Sequence, residues 1–303
     1  MATRKPVEKI RLEKAEEPKQ KSNAKFKDTI LRALCKKPKR AIELVNAVTG
    51  SNYPPTATVK ICDLSESLSG LFNDVGLFID GQLIVLIEHQ SSPPTNLPLR
   101  FLLYFTDILF SWFVKMGELY KSKPYKIPTP KFYVLYNGTD KLKQTELKLS
   151  DAFIMPDEMS GLELTVQVFD VNYDSGSELL EKSEMMAGYS YLIDQIRRQM
   201  EAGDKRDRAI RKAVEICIEE NILVDFLKEN YEEVIKMFDI QYSKEAENRA
   251  IREEERENGI NNSIEMGLKY GATQESIILD LAQLYGLNHQ QAQFHVNNYT
   301  SQK

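Results

Sequence analysis

Three cysteines, at positions 35, 62 and 217, and three histidines, at 89, 289 and 295, are all that this 303-residue chain offers to a soft or borderline metal. Their spacing matches no zinc-ligand pattern, and so few histidines leave little for a histidine-centred triad. The scarcity of cysteine predicts reduced thiols and an intracellular, cytoplasmic protein. No Gly-rich phosphate loop, dinucleotide fingerprint or internal repeat is present. The apolar run from Phe101 to Val114 is too short for a bilayer and is interrupted by Asp107, so it reads as a buried helix and no membrane partner is expected.

Charge is plentiful but unevenly placed. Residues 1–60 carry 15 Lys/Arg against 6 Asp/Glu, residues 61–150 carry 9 of each, and residues 151–303 carry 16 against 30. A basic front suits a phosphate-backbone ligand, whereas the acidic back would repel DNA. A solvated tail explains the basic segment equally well. Residues 1–24 combine mixed charge with few apolar side chains and predict a disordered basic tail.

The informative stretch is Phe72 to Gln90, FNDVGLFIDGQLIVLIEHQ. Two arms rich in Val, Ile, Leu and Phe flank Asp80-Gly81, a strong hairpin signal. A two-residue turn would pair Ile79 with Gln82 and put Asp74 and Glu88 on opposite faces. A turn with Gly81 in a bulge position instead pairs Phe78 with Gln82 and Phe72 with Glu88, so that Asp74, Leu86, Glu88 and Gln90 share one face. Both faces are otherwise apolar, which predicts a central hairpin covered by helices on both sides. Two carboxylates at such a strand end repel and lose hydration, and a hard divalent cation relieves that cost. Asp74 followed by Glu-x-Gln therefore fits metal-assisted phosphodiester hydrolysis, with Gln90 orienting water or phosphate. Two solvated carboxylates at a strand end account for the spacing as well.

Asp74, then Glu88-His89-Gln90-Ser91-Ser92, then Arg100 with Tyr104 four residues on, resembles the Rpn/YhgA-like family of recombination-promoting nucleases and related transposases, within the PD-(D/E)XK superfamily. The similarity begins at Lys27-Asp28 with Arg32 and runs through Cys62-Asp63-Leu64 to Tyr136-Asn137-Gly138, a little over a third of the chain. It implies a magnesium- or manganese-dependent DNA endonuclease linked to recombination or mobile elements. In it Asp74 and Glu88 hold the metal, Gln90 and Asp28 assist catalysis, and Arg100, Tyr104 and Arg32 contact substrate. Gln90 stands where the wider superfamily has Lys, which removes a positive charge near the phosphate. A DNA-binding or partner-binding protein that keeps this fold without turnover is the rival reading.

Along the chain, helices are expected over 26–34 and 40–49, the second ending before Gly50, and a strand over 56–64. Asp28 near a helix start has an ordinary role in stabilising the dipole, and Glu43 is the rival acid from these helices. A helix over 97–120, with Pro98 in its first turn and Asn96 as cap, places Arg100, Tyr104 and Asp107 on one stripe. Arg100 then has a phosphate, Asp107 or the hairpin carboxylates as candidate partners. Strands over 131–137, ending in the Asn137-Gly138 turn, and 162–171 follow. From Ser177 the pattern is helical, with helices near 178–200, 205–220 and 221–238. Residues 243–258 form a charged connector helix or self-association segment, and 274–285 with 288–299 a small helical hairpin suited to protein contact. The expected architecture is α/β: a PD-(D/E)XK-like nuclease core over 25–175, with a mixed central sheet flanked by helices, followed by an all-helical C-terminal extension over 176–242 and 243–303. DNA and a second copy of the chain, through the C-terminal helices, are the expected partners.

Overall fold

The computed structural model of the chain describes residues 30–62, 74–91, 96–114, 116–155 and 161–301. The 1–24 tail, Asp28, Asp63 and Ser92 lie outside the described residues. Two short helices, α1 (Ile30–Cys35) and α2 (Pro38–Thr49), precede strands β1 (Val59–Ile61), β2 (Val75–Ile79) and β3 (Leu83–Gln90). Helix α3 (Leu97–Ile108) leads to β4 (Thr129–Tyr136), β5 (Glu146–Lys148) and β6 (Thr165–Asp170). The remainder is helical: α4 (Glu178–Lys182), α5 (Glu184–Glu201), α6 (Arg206–Glu219), α7 (Val224–Glu229), α8 (Tyr231–Lys269), α9 (Gln274–Tyr285) and α10 (His289–Ser301).

The strands form one six-stranded mixed sheet in the order β1-β2-β3-β4-β6-β5. The pairs β1–β2, β2–β3 and β5–β6 are antiparallel, while β3, β4 and β6 run parallel. The three parallel strands therefore end together, at Gln90, Tyr136 and Asp170. Sites in open α/β sheets gather at such carboxyl ends.

Alternation along the strands splits the apolar residues between two cores, as the hairpin pattern predicts. Val75, Leu77, Ile79, Val85, Ile87 and Leu135 face a cluster built with α1, α2 and α5 to α8. Ile84, Leu86, Val134, Tyr136, Val166 and Val168 face α3 through Phe101 and Tyr104. Residues 178–238, expected as an extension, thus pack with α1 and α2 against one face of the sheet.

The hairpin register differs from the expected one by two residues. Ile79 pairs with Leu83, and Phe78 with Ile84 rather than with Gln82. Asp80 and Gly81 both take positive φ, 46° and 72°. The Asp80 N–H donates to the Thr58 carbonyl, and the Asp80 carboxylate accepts from the Thr58 N–H. Gln82 closes the turn by donating to the Ile79 carbonyl, while its own carbonyl accepts from Thr129 at the start of β4. Neighbouring strands on both sides hold the turn, which leaves three residues in the loop. Because the shift is even, the face assignment is unchanged.

Helix α2 begins at Pro38 and ends where Gly50 takes a left-handed φ of 69°, the expected stop. Helix α3 is shorter than expected. It gives way at Leu109–Phe113 to a π turn that closes at Val114, and the run read as buried exposes Leu103, Phe110 and Trp112. Asn96 occupies the cap position of α3 but makes no side-chain cap bond. Helices α4 and α5 break at Ser183, whose hydroxyl caps α5 by accepting from the Met186 N–H. The charged segment over 243–258 is the middle of the 39-residue helix α8, exposed from 250 to 258. Beyond it, Ile260 and Ile264 join α9 and α10 in a third, separate cluster. Among the described residues no helix is long and apolar enough to cross a membrane.

Candidate active site

Glu88 lies six residues after the hairpin loop, two before the end of β3, and is 3% exposed. The pairing of Val75 with Ile87 brings Asp74, one residue before β2, opposite Glu88. The Asp74 carboxylate accepts the backbone N–H of His89 at 2.7 Å, which ties it to the strand that carries Glu88. Gln90 follows on the same face, half-buried at the strand end.

A lone carboxylate inside a sheet costs several kcal/mol, about as much as two buried aliphatic side chains return. Glu88 is compensated on one side only. Arg100, from the first turn of α3, donates from Nη2 to Glu88 Oε2 at 3.1 Å. The other oxygen, Glu88 Oε1, is buried and has no hydrogen-bond partner. Burial, and next to it the charge of Asp74, push the Glu88 carboxyl up to about 8, against the opposing pull of Arg100.

Helix α3 also fixes the guanidinium. Tyr104, one turn after Arg100, accepts from Arg100 Nε at 3.1 Å and from Nη2 at 2.8 Å. The Tyr104 side chain is fully buried, and burial with the nearby Glu88 charge keeps its phenol protonated well above the usual range. Of the three partners open to Arg100, the structure selects the hairpin carboxylate Glu88. Asp107, the third member of the stripe, is buried on the same helix.

Asp74, Glu88, Arg100 and Tyr104 are thus brought together, with Gln90 at the adjacent strand end. Arg32 sits on α1, where its charge acts on the buried Cys62 thiol. Glu43, the rival acid, has a different role. Its carboxylate accepts from Ser183 Oγ at 2.7 Å and from the Met185 N–H at 2.9 Å, which fastens α2 to the start of α5.

The opposite face of the same strand end carries residues that sequence reasoning passed over. His89 meets Tyr189 of α5, with Nε2 3.2 Å from the phenol oxygen. Burial, and then the charge of Arg197, lower the His89 imidazole to about 4, so it is neutral at physiological pH. Arg197, two turns after Tyr189, donates to the Asn137 carbonyl and, at 2.7 Å, to Asn172 Oδ1. Asn172 in turn donates to the Gly138 carbonyl at 3.0 Å. Gly138 has no room for a Cβ, which would run into the Tyr136 phenol and the Ser91 carbonyl. The helix over 178–200 was expected, but the polar pair Tyr189 and Arg197, two turns apart on α5, was not singled out.

As a metal centre the arrangement is spare. Among the described residues no group of three or more His, Cys, Asp or Glu could hold an ion. Two facing carboxylates do fit a hard cation that keeps several waters and takes substrate phosphate as a ligand. The unpartnered Glu88 Oε1 is the oxygen such an ion would satisfy. The chain matches no protein-family model, no curated protein and no solved structure.

Proposed function

We propose that the chain is a magnesium- or manganese-dependent DNA endonuclease with a PD-(D/E)XK-like core, of the kind that its resemblance to recombination-promoting nucleases implies. The observation that supports this most is the facing pair Asp74 and Glu88 at the end of the parallel strands, with one buried Glu88 oxygen left without a partner. Asp74 and Glu88 would hold the metal. Once bound, such an ion lowers the pKa of its water and polarises the phosphate.

The remaining residues act on the substrate. Gln90, two residues after Glu88 on the same face, orients the attacking water or a phosphate oxygen through its amide. Arg100, about a third exposed at 35%, brings positive charge to the mouth of the site and offers a planar donor set to a phosphate. Tyr104 positions that guanidinium by accepting two of its N–H groups.

One observation favours binding without turnover. Arg100 is already paired with Glu88, and Gln90 stands in the position where the superfamily has Lys. Magnesium-dependent nicking of supercoiled plasmid separates the two, since a metal ligand is required for cleavage and not for binding.

A further inference from the structure

On the side of the sheet away from Glu88 lies a cavity of about 630 Å³, between the start of α2, α5 and the connection from α6 to α7. Its volume falls in the range of small-molecule pockets. Three features give it a chemical character. Lys37, Lys39 and Arg40 line it, with Lys37 paired to Glu229 at 2.8 Å. Arg40 Nη1 is buried without a hydrogen-bond partner while its guanidinium lies over the Phe226 ring, 5.5 Å from the centroid. Helix α2 starts at this cavity without a side-chain cap, so its positive end adds to the three cations.

An aromatic wall completes it. Tyr173 and Tyr191 also line the cavity and meet edge to face at 5.1 Å, with Tyr173 47% exposed. The floor is held by an unusual backbone. Asn221 and Leu223 both adopt positive φ, 62° and 50°, and Leu223 packs where Gly188 lacks a Cβ. A non-glycine residue in that region costs about 1–3 kcal/mol and persists where the surroundings demand it. Three carboxylates also line it: Glu43, which Ser183 and the Met185 N–H already engage, and Glu184 and Asp225. The last two suit sugar hydroxyls or an exocyclic amine, which donate hydrogen bonds.

We propose that this cavity binds a nucleoside phosphate. The phosphate sits among Arg40, Lys39 and the start of α2, the base stacks on Tyr173, and Glu184 or Asp225 accepts from the sugar or base. The assignment lies apart from the phosphodiester site and stands whether or not Glu88 supports cleavage.

The test is calorimetric titration of the full chain, without divalent cation, with adenosine 5′-monophosphate, inorganic phosphate and adenosine. Saturable binding of the monophosphate is expected, weakened about tenfold or more by Arg40→Met and a few-fold by Lys39→Glu, in line with loss of charge-assisted bonds. Tyr173→Ala is expected to weaken the monophosphate and leave inorganic phosphate unchanged. Lys39 and Tyr173 are exposed, so these variants report even if Arg40→Met fails to fold. Displacement of the monophosphate by a 5′-phosphorylated trinucleotide would identify the source as a nucleic-acid strand, and failure to displace it a free nucleotide; both agree with the proposal. No saturable binding of the monophosphate up to about 5 mM, or binding that Lys39→Glu and Tyr173→Ala leave unchanged, overturns it.

Discussion

Asp74 and Glu88 face each other across two antiparallel strands, and the Asp74 carboxylate holds the N–H of His89, the residue next to Glu88. The two carboxyl groups are thereby held together at a strand end, and Arg100 reaches Glu88 from α3. That arrangement sets the predictions.

Glu88 makes stability fall with rising pH. Its carboxyl is raised in the fold to about 8, above the ordinary 4.5, so between those values the folded state holds a proton that the unfolded chain has lost. Stability contributed by the neutral carboxyl is present below about pH 4.5 and is lost as pH rises through 8. Without divalent cation, the melting temperature should drop between pH 6 and pH 9 by roughly 3 °C or more, and Glu88→Gln should flatten the drop. Magnesium should restore more stability at pH 8.5 than at pH 6, because it favours the ionised carboxylate. An unchanged profile in Glu88→Gln would rule out Glu88 as the source.

Above about pH 8, where Glu88 is ionised, removing Arg100 leaves that carboxylate buried without its cation. Arg100→Gln should cost about 1–3 kcal/mol, the lower part of the range for breaking a buried pair, because the arginine is a third exposed. In the double variant Glu88→Gln/Arg100→Gln the loss should be smaller than the sum of the single changes. Denaturant unfolding of the four proteins measures this, and strict additivity would mean that the 3.1 Å contact carries no coupling.

How far the sequence revealed this site depends on what kind of signal each residue carried. Alternation along one strand put Glu88 and Gln90 on one face because strand periodicity is local, whereas Asp74 joined them only in the bulge-turn register. The register was read two residues away, since it is set by Thr58 and Thr129, which grip the turn from neighbouring strands. Arg100 and Tyr104 were legible from helical spacing, but the choice of Glu88 over Asp107 as partner needed the placement of α3 over the sheet. Strand β5 went unseen because three residues, Glu146 to Lys148, are too few to show a pattern. The π turn at 109–113 explains why an apolar run that looked like continuous helix stops at Ile108. His89, Tyr189 and Arg197 meet across about a hundred residues of chain, a distance over which no local motif operates.

Gly138, just past the end of β4, lies against Ser91, just past the end of β3, and a methyl group there has nowhere to go. Gly138→Ala should destabilise the fold by about 1–3 kcal/mol, the usual cost of overpacking, through collision with the Tyr136 phenol and the Ser91 carbonyl. Thermal unfolding measures it; a change under about 0.5 kcal/mol, as at an open surface position, would show that the strand ends yield easily.

The C-terminal hairpin should be separable. Its cluster, including Ile264, Ile278 and Val296, shares no residue with the sheet cores, and 250–258 of α8 is exposed. Deleting residues 243–303 should leave the melting temperature of the remainder within about 3 °C. Sedimentation of the full and shortened chains tests the proposed self-association: a change from oligomer to monomer supports it, and an unchanged state removes the connector as an assembly element.

The central claim rests on Glu88 as a metal ligand for phosphodiester hydrolysis. The most direct measurement is nicking of supercoiled plasmid by the purified chain with magnesium, with chelator, and with Glu88→Gln. Magnesium-dependent nicking that is lost with chelator, and reduced at least about a hundredfold in the variant, is the predicted result. Plasmid left equally intact by both proteins while both still bind it would contradict cleavage and give the binding reading the stronger position.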